Sequence, residues 1–167
     1  MMVLAKSEGS AGNFRGGRLI EFISLFLLLL VTGVFWGTWF TLTRSLEDFQ
    51  AEEFIHIGKI IIANVALPMS IIMPSCIVFM ILTLWFYQRK GSTMFYLGIL
   101  GLILMIVTLV ITLSILVPID NEIKQWTIST VPSGWESIRS RWQTFHSIRT
   151  FTSLASFGCF TLATLNN

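Results

Sequence analysis

The sequence predicts an all-α fold: a four-helix transmembrane bundle with a polar, Trp/Arg/His-rich cap between the third and fourth spans. Three observations lead there. First, the 167 residues are 54% apolar and only 12% charged, against about 25% charged in ordinary soluble domains. Second, four stretches reach or nearly reach the ~20 apolar residues that cross a hydrocarbon core. Third, residues 117–150 collect three of the six Trp, four of the eleven Lys and Arg and one of the two His. A net charge of +2 without a basic cluster gives no ground for a nucleic-acid partner. Cys76 and Cys159 both fall inside spans, so no disulfide framework is expected.

The chain reads as one membrane domain over 17–167, preceded by a Gly-, Ser- and Ala-rich segment, 1–16, expected to be mobile. Lys6, Arg15 and Arg18 before an apolar run imitate a signal peptide, but no small-x-small cleavage site follows, so the run reads as a retained span. Span 1 covers about 19–43. Its Gly33 and Gly37 lie four apart, a spacing that permits close helix approach, and Trp36 and Trp39 flank them. Span 2 covers about 59–87. Pro68 and Pro74 remove backbone donors and predict a kink, with Asn64 on the Pro68 face. Span 3, about 94–117, is nearly all aliphatic, with Gly98 and Gly101 for packing. It shows no chemistry and is expected to end before Pro118. Span 4, about 147–165, carries six Ser and Thr from Thr150 to Thr164, a composition suited to a helix held inside a bundle.

Within the polar stretch, Ser133-Gly-Trp-Glu136 has the form of a capping box. One helix is therefore expected from Gly134 through span 4, with an amphipathic extension over 133–146. Along it Trp135, Ile138, Arg139, Trp142, Phe145, His146 and Arg149 recur at spacings of three or four and form one stripe. A packing stripe would be apolar throughout, and a solvated face would lack the tryptophans. The bland alternative is a clamp, with arginines tying loops together and tryptophans anchoring at headgroup depth. The short Arg89-Lys90 turn tips the orientation toward both termini cytoplasmic, with the polar cap on the outer or lumenal face.

The pattern Val117-Pro118-Ile119-x-Asn121, Trp126, Pro132-x-x-Trp135, Ile138-Arg139-x-Arg141-Trp142, His146 and Arg149-Thr150 resembles the signature of the anthrone-oxygenase-like family of small four-helix membrane proteins. The resemblance is specific over 117–150 and only general in the first three spans. It implies oxidation of an anthrone, a tricyclic phenol, to its anthraquinone by dioxygen without an added cofactor.

Such chemistry needs a base, an anion-stabilising group and an apolar pocket that admits oxygen. His146 is the expected base, because its ordinary pKa of about 6.5 lies near working pH. Arg139 or Arg149 would stabilise an enolate or phenolate. Trp135, Trp142 and Phe145 would stack on a flat ring, and Asn121, Asp120 and Trp126 complete the candidate substrate-binding set. The expected partners are a small phenolic substrate, dioxygen and the lipid bilayer. A competing reading places iron, copper or haem on His56, His146 and Glu53, since Glu53-Phe-Ile-His56 has the Glu-x-x-His spacing of iron sites. A third reading is a non-catalytic accessory subunit of a larger membrane complex, packed through the Gly33/Gly37 face and span 3; a homo-oligomer is the other expected assembly.

Overall fold

The computed structural model describes residues 2–166, with side chains from Gly16 onward. The N-terminal stretch expected to be mobile lies almost wholly outside the described side chains. Five α-helices follow in order: α1 (Met2–Thr41), α2 (Ala51–Trp85), α3 (Thr93–Ile111), α4 (Val117–Gln125) and α5 (Trp135–Leu165). A 3-10 helix (Thr43–Asp48) links α1 to α2, and a π-helical turn (Thr112–Leu116) joins α3 to α4. The third column of the bundle therefore does not stop before Pro118. Pro118 sits in the first turn of α4, directly after the π-helical turn, and the helical backbone continues through it to Gln125.

Three segments, Gly16–Asp48, Ala51–Trp85 and Thr93–Gln125, are long and apolar enough to cross a membrane, which makes this an integral membrane protein. The fourth column, α5, is not among them. Its polar side chains instead turn inward: His146, Thr150, Ser153 and Ser156 are all buried. Each hydroxyl finds a backbone acceptor. Ser156 Oγ donates to the Gly101 carbonyl at 2.7 Å, Thr150 Oγ1 to its own helix at His146 and Ser153 Oγ to Thr150. Ile148, Phe151 and Leu162 remain exposed on the outer side of α5.

The expected capping box does not form. Gly134 occupies the N-cap in the left-handed region at φ 85°, which suits glycine, and no side chain caps the first turn. Ser137 Oγ bonds the Gly134 carbonyl instead. The single long helix stands nonetheless: α5 runs 31 residues without a break, about 46 Å.

Packing is tightest between α3 and α5, while α1 lies against α2 and α5, and α2 touches α3 sparingly. The small residues decide this. A Cβ on Gly101 would lie 3.1 Å from the Phe160 N and the Ser156 O, and one on Gly98 would lie 2.8 Å from Leu84 Cδ2. Gly33 and Gly37, expected to admit a helix, face open space with nothing within 4 Å. The core (Leu28, Val31, Phe35, Met73, Met80, Met105 and Phe160) fills the inner half of the bundle. A second apolar cluster caps the other half, built on Leu46, Phe54, Ile119, Ile123, Trp126 and Trp142.

The atoms facing Gly101 are backbone and cannot swing aside. Gly101→Ala should therefore cost about 1–3 kcal/mol of stability, read as a lower melting temperature in detergent. Gly33→Ala should leave melting unchanged. Equal shifts at both sites would contradict this packing.

Candidate functional site

A chamber of about 260 Å³ opens among the four columns, between the core and the apolar cap. This is near the lower end of the ~300–1,000 Å³ typical of small-molecule sites. Val34, Phe35 and Thr38 of α1, Ile61 to Pro74 of α2, and Leu109 to Val117 of the third column supply mostly apolar walls. Asp120, Trp142 and Arg149 place a carboxylate, an indole and a guanidinium on the same lining.

The polar end is a relay of contacts. Arg149 Nη2 lies 2.9 Å from His146 Nδ1, its Nη1 lies 3.4 Å from Thr112 Oγ1, and its guanidinium carbon sits 4.3 Å from the Phe35 ring centroid. A guanidinium can only donate, so Nδ1 must accept. The imidazole is thereby neutral, with its proton on Nε2. That ring stacks on Trp142 at 4.8 Å and 3° between planes, and it meets Phe35 edge-on. Trp142 Nε1 in turn donates to Asp120 Oδ1 at 2.9 Å. No direct ion pair joins Asp120 to Arg149 among the described residues. Both residues line the chamber: Asp120 keeps an acceptor oxygen, while the Arg149 Nε is buried away from the open space and has no partner.

His146 does not line the chamber. It is fully buried and touches Arg149 and Trp142, both of which do line the space. The residue expected as base thus contacts Arg149 and is absent from the chamber lining, whereas the carboxylate of Asp120 is part of it. Thr112 and Phe35 were not singled out by sequence. Thr112 lies in the span that read as free of chemistry, and only its neighbourhood to Arg149 in space gives it a role. The π-helical turn begins at this residue, and such turns often accompany functional sites.

The other candidates lie elsewhere. Arg139 Nη1 donates to the Phe49 carbonyl at 3.0 Å and the Glu47 carbonyl at 3.3 Å, with its guanidinium 4.9 Å over Trp135. Trp135 also meets Phe54 at 5.7 Å. Phe145 packs into the apolar cap. Trp126 is buried there, and its carbonyl accepts Lys59 Nζ at 2.7 Å. Asn121 is exposed and bonded to Lys124. Glu53 caps α2 by accepting the Gln50 N–H at 3.0 Å. Glu53 and His56 border a shallow outer cleft with Glu52, Lys59 and Trp126, a lining that excludes His146. Among the described residues no three His, Cys, Asp or Glu side chains converge as a metal site would require. Asn64 and Pro68 point outward, whereas Pro74 lines the chamber.

The family model described as anthrone oxygenase matches residues 61–159, more than half of the 167-residue chain. The chain belongs to the anthrone oxygenase family. The matched stretch includes Thr112, Asp120, Trp142, His146 and Arg149, and it omits Glu53 and His56. No curated protein and no solved structure matches the chain.

Arg139 serves as a clamp between α5 and the segment entering α2. Arg139→Ala should lower stability by about 1–3 kcal/mol through its two lost charged bonds, while Arg141→Ala, at an exposed position, stays within about 0.5 kcal/mol. Thermal melts of the two purified variants check the contrast.

Proposed function

We propose that the protein is a multi-pass membrane oxygenase that converts an anthrone-like phenol to its quinone with dioxygen as the only co-reactant. The observation that carries this reading is the pairing of Asp120 and Arg149 on one apolar chamber, unpaired with each other and walled by Trp142. Family membership supports the reaction class. In this reading α5 is the fourth span, both termini are cytoplasmic, and the polar cap is on the outer or lumenal face.

The proposed steps balance without a further redox partner. The substrate's methylene loses a proton to the Asp120 carboxylate, which gives an electron-rich anion. Arg149 stabilises the oxygen on which that negative charge collects. The anion passes one electron to dioxygen, and the resulting pair combines to form a carbon–oxygen bond; the peroxide anion takes back the proton from Asp120 and becomes a hydroperoxide. Asp120 then removes the second C–H proton, which breaks the O–O bond. One oxygen remains as the new carbonyl, and the other leaves as hydroxide and takes that second proton from Asp120 to become water. The net change is CH2 plus O2 to C=O plus H2O.

His146 acts through Arg149. Its neutral ring offers Nδ1 as an acceptor and holds the guanidinium against the chamber wall. Trp142 bonds Asp120 and presents a flat face for the substrate ring.

Oxygen uptake by detergent-purified protein with 1,8-dihydroxyanthrone tests the proposal. Wild type should consume dioxygen and form the quinone. Asp120→Asn keeps the acceptor for Trp142 and should lose on the order of 10²-fold or more in turnover, the scale of general-base catalysis. Absence of uptake by folded wild type would overturn the proposal. Retained activity in Asp120→Asn together with loss in His146→Gln would move the base to the imidazole.

His146→Gln separates positioning from proton transfer, because a glutamine oxygen can still accept from Arg149. We expect a smaller loss than in His146→Ala and an unshifted pH–rate profile. A profile that loses a limb in His146→Gln would make the imidazole the titrating group.

A further inference from the structure

The seam between α2 and α3 is shut at both ends and open between them. Toward the α2–α3 turn, Leu84 Cδ2 fills the space beside Gly98, 2.8 Å from where a Cβ would stand. Toward the polar cap, Ile123 Cγ2 closes on Gly58 at 3.3 Å by the same measure. Between these closures the chamber is bordered by Ala66, Ser70 and Pro74 of α2 and by Leu113 and Val117 of the third column. All five are exposed on the outer surface of the protein. Ala66, Ser70 and Pro74 recur every four residues, so small or compact side chains face the seam over two turns.

This window lies at membrane depth. Ser70 is eleven residues into the span begun at Lys59, about 16 Å along the helix. The opposite route is blocked. Between the chamber and the polar surface stand Leu46, Phe54, Ile123 and Trp142, all buried. A space within that cap, beside Asp120 and Trp142, is about 20 Å³, room for roughly one water.

We infer that the chamber loads sideways from the bilayer, through the α2–α3 window, and that its ligand is a flat apolar phenol dissolved in lipid. The occupant rests on the function proposed above; the route rests on the window alone. The apolar rim admits a ring that has already left water. The inner Asp120 and Arg149 reward a hydroxylated ring over a plain hydrocarbon. An aqueous substrate would meet the apolar cap instead.

The test places a reporter on the chamber wall. Met69, buried and lining the chamber, is changed to Cys in the full chain, reconstituted in phosphatidylcholine vesicles. Labelled sites are located by peptide mass spectrometry. N-Phenylmaleimide, flat and lipid-soluble, should label Met69→Cys. The charged trimethylammonium-ethyl methanethiosulfonate should not. Filling the window with Ser70→Trp, or with Leu113→Trp if the first folds poorly, should slow the maleimide at least tenfold. 1,8-Dihydroxyanthrone should protect the thiol.

Labelling by the charged reagent at a similar rate, or a maleimide rate indifferent to both window variants, would overturn the lateral route, and so would a thiol that neither reagent reaches. Protection by oleic acid with none by the phenol would assign the chamber to an acyl chain and overturn the ligand. Failed turnover by wild type, with labelling as expected, would sink the oxygenase reading and leave the route standing.

Discussion

The structure depends on one costly act, the placement of the Arg149 guanidinium inside a membrane bundle. Arginine does not shed its proton, so the charge cannot be avoided. A lone charge at this depth is expensive, and it persists only where donors and charge are answered locally. Three groups answer it: a lone pair on His146, the hydroxyl of Thr112 and the face of Phe35. Each belongs to a different turn or helix, so the guanidinium ties α1, the third column and α5 at one point. Arg149 also forms part of the chamber lining, while its buried Nε has no partner.

From Arg149 the constraints propagate outward. Accepting from arginine fixes the His146 tautomer, and the buried ring then lies flat on Trp142. The stacked indole can aim its N–H at Asp120 alone, which holds the carboxylate at the chamber edge. Asp120 in turn belongs to α4, a helix that exists because the third column continues through the π-helical turn and past Pro118. The geometry of the carboxylate therefore depends on a contact made three side chains away, at Arg149. Under the function proposed above, such a chain would be preorganised for charge that develops in the reaction.

Hydropathy made most of the fold legible, because spans must be long and apolar and this signal needs no partner. The fourth column was legible for a different reason: a run of Ser and Thr can be buried only where neighbouring backbone accepts the hydroxyls, as Gly101 does for Ser156. Gly98 and Gly101 read correctly as packing residues, whereas Gly33 and Gly37 have the same small-residue look and face open space. Spacing alone states that a close approach is allowed, not that a helix arrives. The stripe on α5 is continuous as a sequence pattern but meets different neighbours along about 46 Å of helix. Arg139, near its start, clamps the Glu47–Phe49 backbone, and Arg149, about three turns on, lines the chamber. Periodicity gives the face of a helix and says nothing about what stands opposite. For that reason the contact of His146 with Arg149, one turn away, was legible only as a shared face, and the contact of Thr112 with Arg149 could not be found at all.

The contrast between two seams explains how one small bundle can be both tight and accessible. Between α3 and α5, glycines bring the backbones together and hydroxyls bond across, leaving no room for a ligand. Between α2 and α3, the long Met69 and Met73 side chains and the compact Ala66, Ser70 and Pro74 side chains leave a gap that no hydrogen bond crosses among the described residues. In water such a gap would be lost to hydrophobic collapse. In a bilayer lipid is as apolar as the walls, and association must come from packing and hydrogen bonds instead. An unpacked seam is therefore tolerable in this chain only because its solvent is lipid. The same property that keeps the chamber open also sets which molecules arrive at its mouth.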